Sequence, residues 1–291
     1  MHRVRCLCEP LPKRCSLSCT RPLHRIGPRE MQRGDMQLMS GCLSEKSPPS
    51  NKISHRDGLT RHSYQIGETK GVIITDHSPA IEAALNSIKE QRRQLFEYIR
   101  KNPDFEHSLE SVEVSEAPEV VQLMAEASKK AGVGPMAAVA GVIADLAAQA
   151  MIKNDANVAV VENGGEIALY SDRLMIISVG AGNNPLSERL GFKVTESPWG
   201  LAPSSGRHSH AFSMGDADTV TVFADTAGLA DAAATAAANE VLGEPGTDVK
   251  AGVDAALAIK GVHGALAIRD EQVSTGGVLP KMVHVEAIPD E

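Results

Sequence analysis

Aromatic residues are scarce in this sequence, at 3% of its 291 residues, and cysteine is absent after Cys42. With so few aromatic rings, a core has to be built from Ala, Val, Leu, Ile and Met. A hydrophobic content of 42% with 23% charged residues is typical of a globular protein. This balance excludes a wholly disordered chain, a collagen-like chain and a coiled coil.

Long apolar runs and an excess of positive charge are also missing. The most apolar stretch, 135–151, is interrupted by Asp145 and falls short of the roughly 20 residues that a bilayer requires. The formal net charge of −8 argues against nucleic acid as the main partner. We therefore expect neither a nucleic-acid partner nor a membrane partner.

The charge is divided unevenly along the chain. Residues 1–62 hold 12 Lys and Arg against 5 Asp and Glu, whereas residues 63–291 hold 17 against 32. The five cysteines also lie in the basic part, without the spacing usual for a metal site. This division predicts that 1–62 is a disordered extension, or that the start is mis-called, with Met31, Met36 or Met39 as the true beginning. A secretory apolar segment is lacking there, and we expect a cytoplasmic protein.

Residues 63–291 are predicted to form one α+β domain of mixed sheets with packed helices. The apolar periodicity predicts helices at 79–100, 118–131, 134–151, 229–242 and 249–259. Strands are predicted at 71–75, 112–114, 157–162, 166–170, 174–179, 219–224, 262–268 and 282–287, with 166–170 and 174–179 paired as a hairpin. Strict alternation of strand and helix is lacking, which favours α+β over α/β.

Two glycine-containing stretches carry carboxylates that are candidates for ligand binding. In the first, Gly141 and Asp145 lie on a helix of small residues. Asp145 could hold a ligand there, or the helix could pack closely on a sheet with Asp145 at its solvent edge. The second is a turn containing Asn163, Gly164, Gly165 and Glu166. The turn could present backbone N–H groups to a ligand, or it could be an ordinary tight turn with solvated acids.

A third stretch places a carboxylate and a hydroxyl on one face of a helix. Asp231 and Thr235 are four residues apart, so their oxygens point the same way. Such a pair suits a hard cation such as Mg²⁺, although an Asp near a helix start is also favourable for the helix dipole alone. The preceding polar loop contains Ser205, Gly206 and the histidines His208 and His210, which suit phosphate contact or proton transfer; it could equally be a solvated loop.

Taken in order, these stretches resemble the ApbE-like superfamily, whose named members are FAD:protein FMN transferases. That family has a K-G-x-x-x-D helix, an N-x-G-G-D turn, a T-S-G loop with a later histidine, and an A-D-A-L-A-T helix. The matching segments are Gly141 to Asp145, Asn163 to Glu166, Ser205-Gly206 and Ala230 to Thr235. Residues 66–287 look still more like a prokaryotic branch known only as an uncharacterised protein family (UPF).

The resemblance implies a single α+β domain with a cleft between its sheets that binds FAD or FMN. It implies Mg²⁺ held by Asp231 and Thr235, with His210 or His208 as base or phosphate contact. The remaining matched residues would contact the cofactor: Gly141, Asp145, Asn163, Gly164, Gly165, Glu166, Ser205 and Gly206. The implied partners are a flavin nucleotide and an acceptor protein that receives FMN on a threonine hydroxyl.

Three departures from the family pattern leave the function open. Ala140 replaces the motif lysine, Val142 replaces the following aromatic residue, and Glu166 replaces the turn aspartate. The first hypothesis is a Mg²⁺-dependent enzyme that transfers FMN from FAD or cleaves the FAD pyrophosphate. The alternatives are a non-catalytic flavin or nucleotide-binding module and a subunit of a redox complex.

Overall fold

The computed structural model describes residues 53–56, 58–178, 189–194, 198–204, 215–242 and 248–285. The helices are α1 (Pro79–Lys101), α2 (Asp104–His107), α3 (Glu119–Ala131), α4 (Val139–Ile152), α5 (Ala227–Asn239) and α6 (Asp248–Leu257), with a 3₁₀ turn at Pro135–Ala138. The strands are β1 (Ile53–Arg56), β2 (Leu59–Ile66), β3 (Thr69–Thr75), β4 (Val158–Asn163), β5 (Glu166–Ser171), β6 (Met175–Ser178), β7 (Leu190–Val194), β8 (Trp199–Ser204), β9 (Thr219–Ala224), β10 (Val262–Arg269), β11 (Gln272–Gly277) and β12 (Lys281–His284).

The strands form two antiparallel sheets. The larger has nine strands in the order β1-β2-β3-β4-β5-β8-β9-β10-β11, and the smaller has three in the order β12-β7-β6. Separate segments of strands and helices in one fold make this an α+β domain, as predicted.

The fold has three layers, namely the helices, the large sheet and the small sheet. The large sheet can be covered on both faces because side chains alternate between the two faces along its central strands. Helix-facing positions are mostly Ala and Val, such as Ala159 and Val161 on β4 and Ala168 on β5. The opposite positions carry larger side chains, such as Leu169 and Phe223, which pack against the small sheet. Small residues on the helix-facing side let the helices approach the sheet closely, and bulky residues fill the space between the sheets.

The apolar segment Pro135–Ile152 is the one candidate for a membrane span by length and composition among the described residues, and 61% of it is buried inside the fold. Its residues pack on α1, on α5 and on the strands β4 and β5. This packing is that of a core helix.

Three details of the prediction were wrong. The boundary at 62/63 runs through β2, so the sheet already includes residues from Ile53 onward. No strand forms at 112–114, although both valines there pack against the core. The predicted hairpin of 166–170 with 174–179 does not form, because β5 pairs with β4 and β8 whereas β6 pairs with β7 in the other sheet.

Candidate functional site

The tight turn between β4 and β5 presents its polar residues to the helices. Asn163 pairs with Glu166 across the turn, two positions beyond the helix-facing Val161 and Ala168. Both side chains therefore point to the helix side, because side chains alternate along a strand. Gly164 and Gly165 have φ values of 74° and 132°, which favour glycine and explain why two glycines occur together here.

Asn163 connects this turn to the start of α4. Its amide Nδ2 donates a hydrogen bond to the carbonyl oxygen of Ala140 at 2.9 Å. The Gly164 N–H donates to the carbonyl oxygen of Lys70, which anchors the turn on the other side. The turn is therefore fixed between β3 and α4.

Asp231 of α5 binds the first turn of α4. Its Oδ2 accepts a hydrogen bond from the Gly141 N–H at 3.0 Å, and the Ala140 N–H also bonds this carboxylate. These two amides lie in the first turn of α4, where the helix itself provides no partner. Asp231 therefore satisfies them from a neighbouring helix.

Asp145 of α4 in turn accepts hydrogen bonds from the first two amides of α5. Its Oδ1 accepts a hydrogen bond from the Ala227 N–H and its Oδ2 accepts one from the Gly228 N–H, both at 2.9 Å. The alternative that placed Asp145 at a solvent edge is wrong, because the residue is only 6% exposed. We call this exchange of carboxylates between α4 and α5 the reciprocal cap, formed by Asp145 and Asp231 with the amides that they accept from.

The next amide of α5 also has a partner. The Leu229 N–H donates to the Thr226 hydroxyl oxygen at 3.2 Å, which makes Thr226 the N-cap residue. With the two amides held by Asp145, the first three amides of α5 are satisfied. A phosphate therefore cannot use the α5 N-terminus as an anion site, although helix starts often serve in that way.

Two glycines, Gly141 and Gly228, allow α4 and α5 to pack closely against each other. A Cβ atom at Gly141 would lie 2.2 Å from the Ala227 carbonyl oxygen, and one at Gly228 would lie 2.4 Å from a methyl carbon of Val142. Neither distance is possible for real atoms, so both positions require glycine. Gly141 thus has a packing role whether or not it also contacts a cofactor.

Burial and like charge disfavour ionisation of the carboxylates around the cap. Loss of solvation raises the pKa of Glu166 well above its ordinary value, and the nearby Asp231 raises it further. Loss of solvation also raises the pKa of Asp231, while the amides of α4 oppose that shift. Each residue as a whole keeps part of its surface exposed. Two adjacent acids of this kind are arranged to share a proton or a cation.

Thr235 lies one helical turn beyond Asp231 and is also partly exposed. The donor set of this face is therefore all oxygen, which is the chemistry that Mg²⁺ prefers. Among the described residues, no group of three His, Cys, Asp or Glu side chains could hold a metal ion. A cation here would need its other ligands from backbone, water or a bound nucleotide, as is usual for Mg²⁺.

Glu162 precedes the same turn, but its side chain lies on the opposite face of the large sheet from that of Glu166. It pairs with Ile167, which faces the small sheet, and its carboxylate accepts N–H groups from Gly165 and Val72. Burial raises its pKa to about 7. The Tyr64 hydroxyl donates to the Glu162 carbonyl oxygen at 3.1 Å. Glu162 thus belongs to the support of the turn.

The structure brings together most of the predicted site residues that it describes. Asp231 and Thr235 share a face of α5, and Asn163, Glu166 and Gly141 surround Asp231 on the helix side of the sheet. The space between the sheets, where the resemblance implied a cleft, is occupied by apolar side chains in the described ranges, whereas Asn163 and Glu166 face the helix side of the large sheet. Contacts of Gly141, Asp145, Asn163, Gly164, Gly165 and Glu166 with a cofactor stay predictions. Ser205, Gly206, His208 and His210 lie outside the described residues, and their roles also stay predictions.

The reciprocal cap was not predicted, although the sequence contains a signal for it. A small residue is followed four positions later by aspartate in both helices: Gly141 with Asp145, and Ala227 with Asp231. In each pair, the N–H of the small residue bonds the aspartate of the other pair. The repeated spacing therefore marks the two helix starts that exchange carboxylates.

Comparison with known proteins gives consistent matches. The model of the family described as AbpE bacteria matches residues 52–262. A UPF0280 protein of Methanococcus vannielii is 38% identical over 233 residues, covering 78% of this chain and 94% of the relative. A UPF0280 protein of Methanosarcina acetivorans is 40% identical over 230 residues, covering 78% and 90%.

Comparison with solved structures bears on the fold. The ApbE protein from Thermotoga maritima is 15% identical, with a TM-score of 0.50, and the match covers 78% of this chain and 97% of that one. The flavin transferase ApbE from Vibrio cholerae is also 15% identical, with a TM-score of 0.44 and the same coverage. The Thermotoga likeness shows an ApbE-like fold and leaves the activity to be inferred from the site.

Proposed function

This chain belongs to the family described as AbpE bacteria and to the UPF0280 proteins, and from that premise we propose that it is a Mg²⁺-dependent, FAD-binding FMN transferase acting in the cytoplasm. The resemblance of its four ordered motifs to FAD:protein FMN transferases supports the choice of flavin. Asp231 and Thr235 are the proposed cation ligands, and Glu166 lies next to them.

One observation carries the proposal, namely the neighbouring carboxylates of Glu166 and Asp231, with the Thr235 hydroxyl one helical turn away. Each acid raises the cost of ionising the other, and a divalent cation would relieve that repulsion. The starts of α4 and α5 already hold carboxylates, so helix amides are not free to neutralise a pyrophosphate. A cation beside Asp231 would supply the positive charge that these helix starts do not.

The proposed reaction needs few chemical groups from the protein. A threonine oxygen of an acceptor protein would form a bond to the FMN phosphorus, the pyrophosphate P–O bond would break, and AMP would leave. When bound, Mg²⁺ would polarise the phosphoryl oxygens and offset their developing charge. The threonine proton would pass to a base, for which His210 or His208 is the predicted residue. Asp231 and the Asn163 turn orient the site.

The test incubates the full chain with FAD and Mg²⁺, with and without a threonine-containing acceptor peptide. AMP with peptide-bound FMN indicates transfer, AMP with free FMN indicates hydrolysis, and flavin binding without AMP favours the non-catalytic module. Absence of both binding and AMP from a folded protein would refute the proposal. In that screen the Asp231→Asn variant should lose activity by about 100-fold or more, because the charge is needed where the transition state develops.

Thr235 offers a matched pair of substitutions. Thr235→Val keeps the shape of the side chain but removes its oxygen, whereas Thr235→Ser keeps the hydroxyl. We expect the valine variant to need at least about tenfold more Mg²⁺ for half-maximal AMP formation, and the serine variant to stay close to wild type. Equal Mg²⁺ requirements in the two variants would remove Thr235 from the cation site.

A further inference from the structure

The reciprocal cap does more than join two helices, because one of its members acts on the side chain that the proposed function uses. Asp145 bonds the first two amides of α5, and Asp231 lies four residues after the first of them. The direction of Asp231 therefore depends on where Asp145 holds the start of α5. Asp145 itself is buried, and both of its oxygens bond amides of α5.

We propose that Asp145 is a positioning residue that fixes the start of α5 and thereby aims Asp231 and Thr235 at the cation. The inference rests on the proposed function for the identity of the bound ion. Its geometric part, the placement of Asp231 against α4, can be measured without any ion.

The argument from contacts has two steps. Thr226 satisfies the third amide of α5 through a side chain of the same segment, so that bond moves with the helix. The bonds from Ala227 and Gly228 instead tie α5 to a side chain 82 and 83 residues away, on a different helix. Among these three bonds, the two to Asp145 alone can set the position of α5 relative to α4.

The glycines at the crossing explain why small changes should matter. The backbones of α4 and α5 are in contact at Gly141, and Gly228 packs directly on the side chain of Val142, so little space is left for adjustment. A shift of α5 therefore changes the distance between the Gly141 N–H and Asp231 directly. Exchange of the Gly141 amide hydrogen reports on that bond.

The chain provides a matched control in Asp76. The Asp76 carboxylate also accepts two consecutive backbone N–H groups, from Asn157 at 3.1 Å and from Val158 at 2.9 Å. These amides lie at the beginning of β4, whereas the site lies beyond its other end. Asp76→Asn therefore also replaces one engaged carboxylate oxygen by an NH₂ group, here Oδ2, which accepts from Asn157 Nδ2, and it does so without touching α5.

The experiment compares Asp145→Asn with Asp76→Asn in the full-length protein. Mn²⁺ is the probe, with its affinity measured by paramagnetic resonance, and amide exchange is measured in the absence of metal. In Asp145→Asn, one oxygen is replaced by an NH₂ group that cannot accept a bond. We expect Mn²⁺ to bind about 10- to 100-fold more weakly and Gly141 to exchange faster than the other amides of α4. We expect Asp76→Asn to lower the melting temperature without either effect.

If Asp145 only stabilises the fold, the two readouts, Mn²⁺ affinity and Gly141 exchange, differ from those expected above. If Asp145→Asn lowers stability but leaves Mn²⁺ affinity and Gly141 exchange as they are in Asp76→Asn, the inference is wrong. If wild-type protein binds no Mn²⁺, the proposed cation site fails, and Gly141 exchange alone still decides whether Asp145 positions Asp231.

Two further measurements apply if Asp145→Asn does not fold. Asp145→Glu keeps both acceptor oxygens and moves them by one methylene, so it should shift the same two readouts with less loss of stability. In wild-type protein, Mn²⁺ should slow exchange of the Ala227 and Gly228 amides, because binding at Asp231 and bonding at Asp145 stabilise one position of α5. Unchanged exchange at these two amides with Mn²⁺ bound would overturn the inference.

Discussion

Asp231 illustrates how one residue can support the fold and the site with opposite energetic consequences. Its carboxylate satisfies amides of α4, yet burial and the neighbouring acids raise its pKa and make its charge costly. Active sites often keep such a charge because a ligand later compensates for it. Under the proposed function, a bound cation would offset the cost of the Asp231 charge.

The Asp231→Asn variant separates these two contributions. Asparagine keeps one oxygen that can accept the Gly141 N–H and loses the other acceptor, but it also removes a costly buried charge, so we expect its melting temperature without metal to stay close to that of wild type. Saturating Mg²⁺, at about 100 times its dissociation constant, should stabilise wild type by about 2.7 kcal/mol and leave the variant unchanged. Thermal melts with Mg²⁺ and with EDTA measure both effects. Equal Mg²⁺ stabilisation of the two proteins would place the cation elsewhere.

At the scale of the elements, the α4–α5 crossing depends on glycine. Alanine is favoured over glycine inside a helix by about 1 kcal/mol, so Gly141→Ala should stabilise the protein if propensity alone mattered. The clash with the Ala227 carbonyl predicts the opposite sign, with a loss of about 1–3 kcal/mol or more in the free energy of unfolding. Urea denaturation measures the change, and a more stable variant would contradict the crossing geometry.

The interface between the sheets is a second element with a clear test. Phe192 of β7 and Phe223 of β9 meet edge to face with ring centroids 4.7 Å apart, and both are fully buried. Phe192→Ala should lower the free energy of unfolding by about 3–5 kcal/mol. Trp199 lies 5.8 Å from Phe223, so its fluorescence should also change.

Phe96→Ala is the matched control for the Phe192→Ala variant. It is 54% exposed on α1, so Phe96→Ala should change stability by about 0.5 kcal/mol at most and leave the Trp199 spectrum unchanged. If the two alanine variants had equal stability, the small sheet would not be packed on the large one as described.

Predictability from the sequence also differed by element. The five long helices followed from apolar periodicity and boundary residues such as Pro79 and Gly132, because these signals are local. Strand pairing was less predictable, since the turn after β5 resembles a hairpin turn while β5 finds its partner in β8, nearly thirty residues further on. The shared face of Asp231 and Thr235 followed from helical spacing. The reciprocal cap could not be derived in the same way, because it depends on contacts between helices.

At the scale of the whole molecule, buried acids should link stability to pH. Burial raises the pKa of Asp145 to about 6 in the folded protein, above its ordinary value of 3.8. The folded state therefore holds this proton more tightly than the unfolded state. The stabilisation from Asp145 is complete below pH 3.8 and is lost as the pH rises through about 6. Its remaining contribution at pH 5, about 1–1.5 kcal/mol, should be gone at pH 8.

The comparison of wild type with Asp145→Asn removes the titration of Asp145 and also the charge by which Asp145 raises the pKa of Asp231, and both changes act in the same direction. Buried His62 has a lowered pKa and acts in the opposite direction, because its neutral form is favoured in the fold and stability from it rises with pH. His62 titrates in both proteins, so its effect cancels in the difference. Acids with lowered pKa values, such as Asp76, titrate below this range. Urea denaturation at pH 5 and pH 8 in EDTA should therefore show wild type losing about 1–1.5 kcal/mol relative to the variant as the pH rises. A relative gain with rising pH would mean that the two amides of α5 stabilise the Asp145 carboxylate more than burial destabilises it.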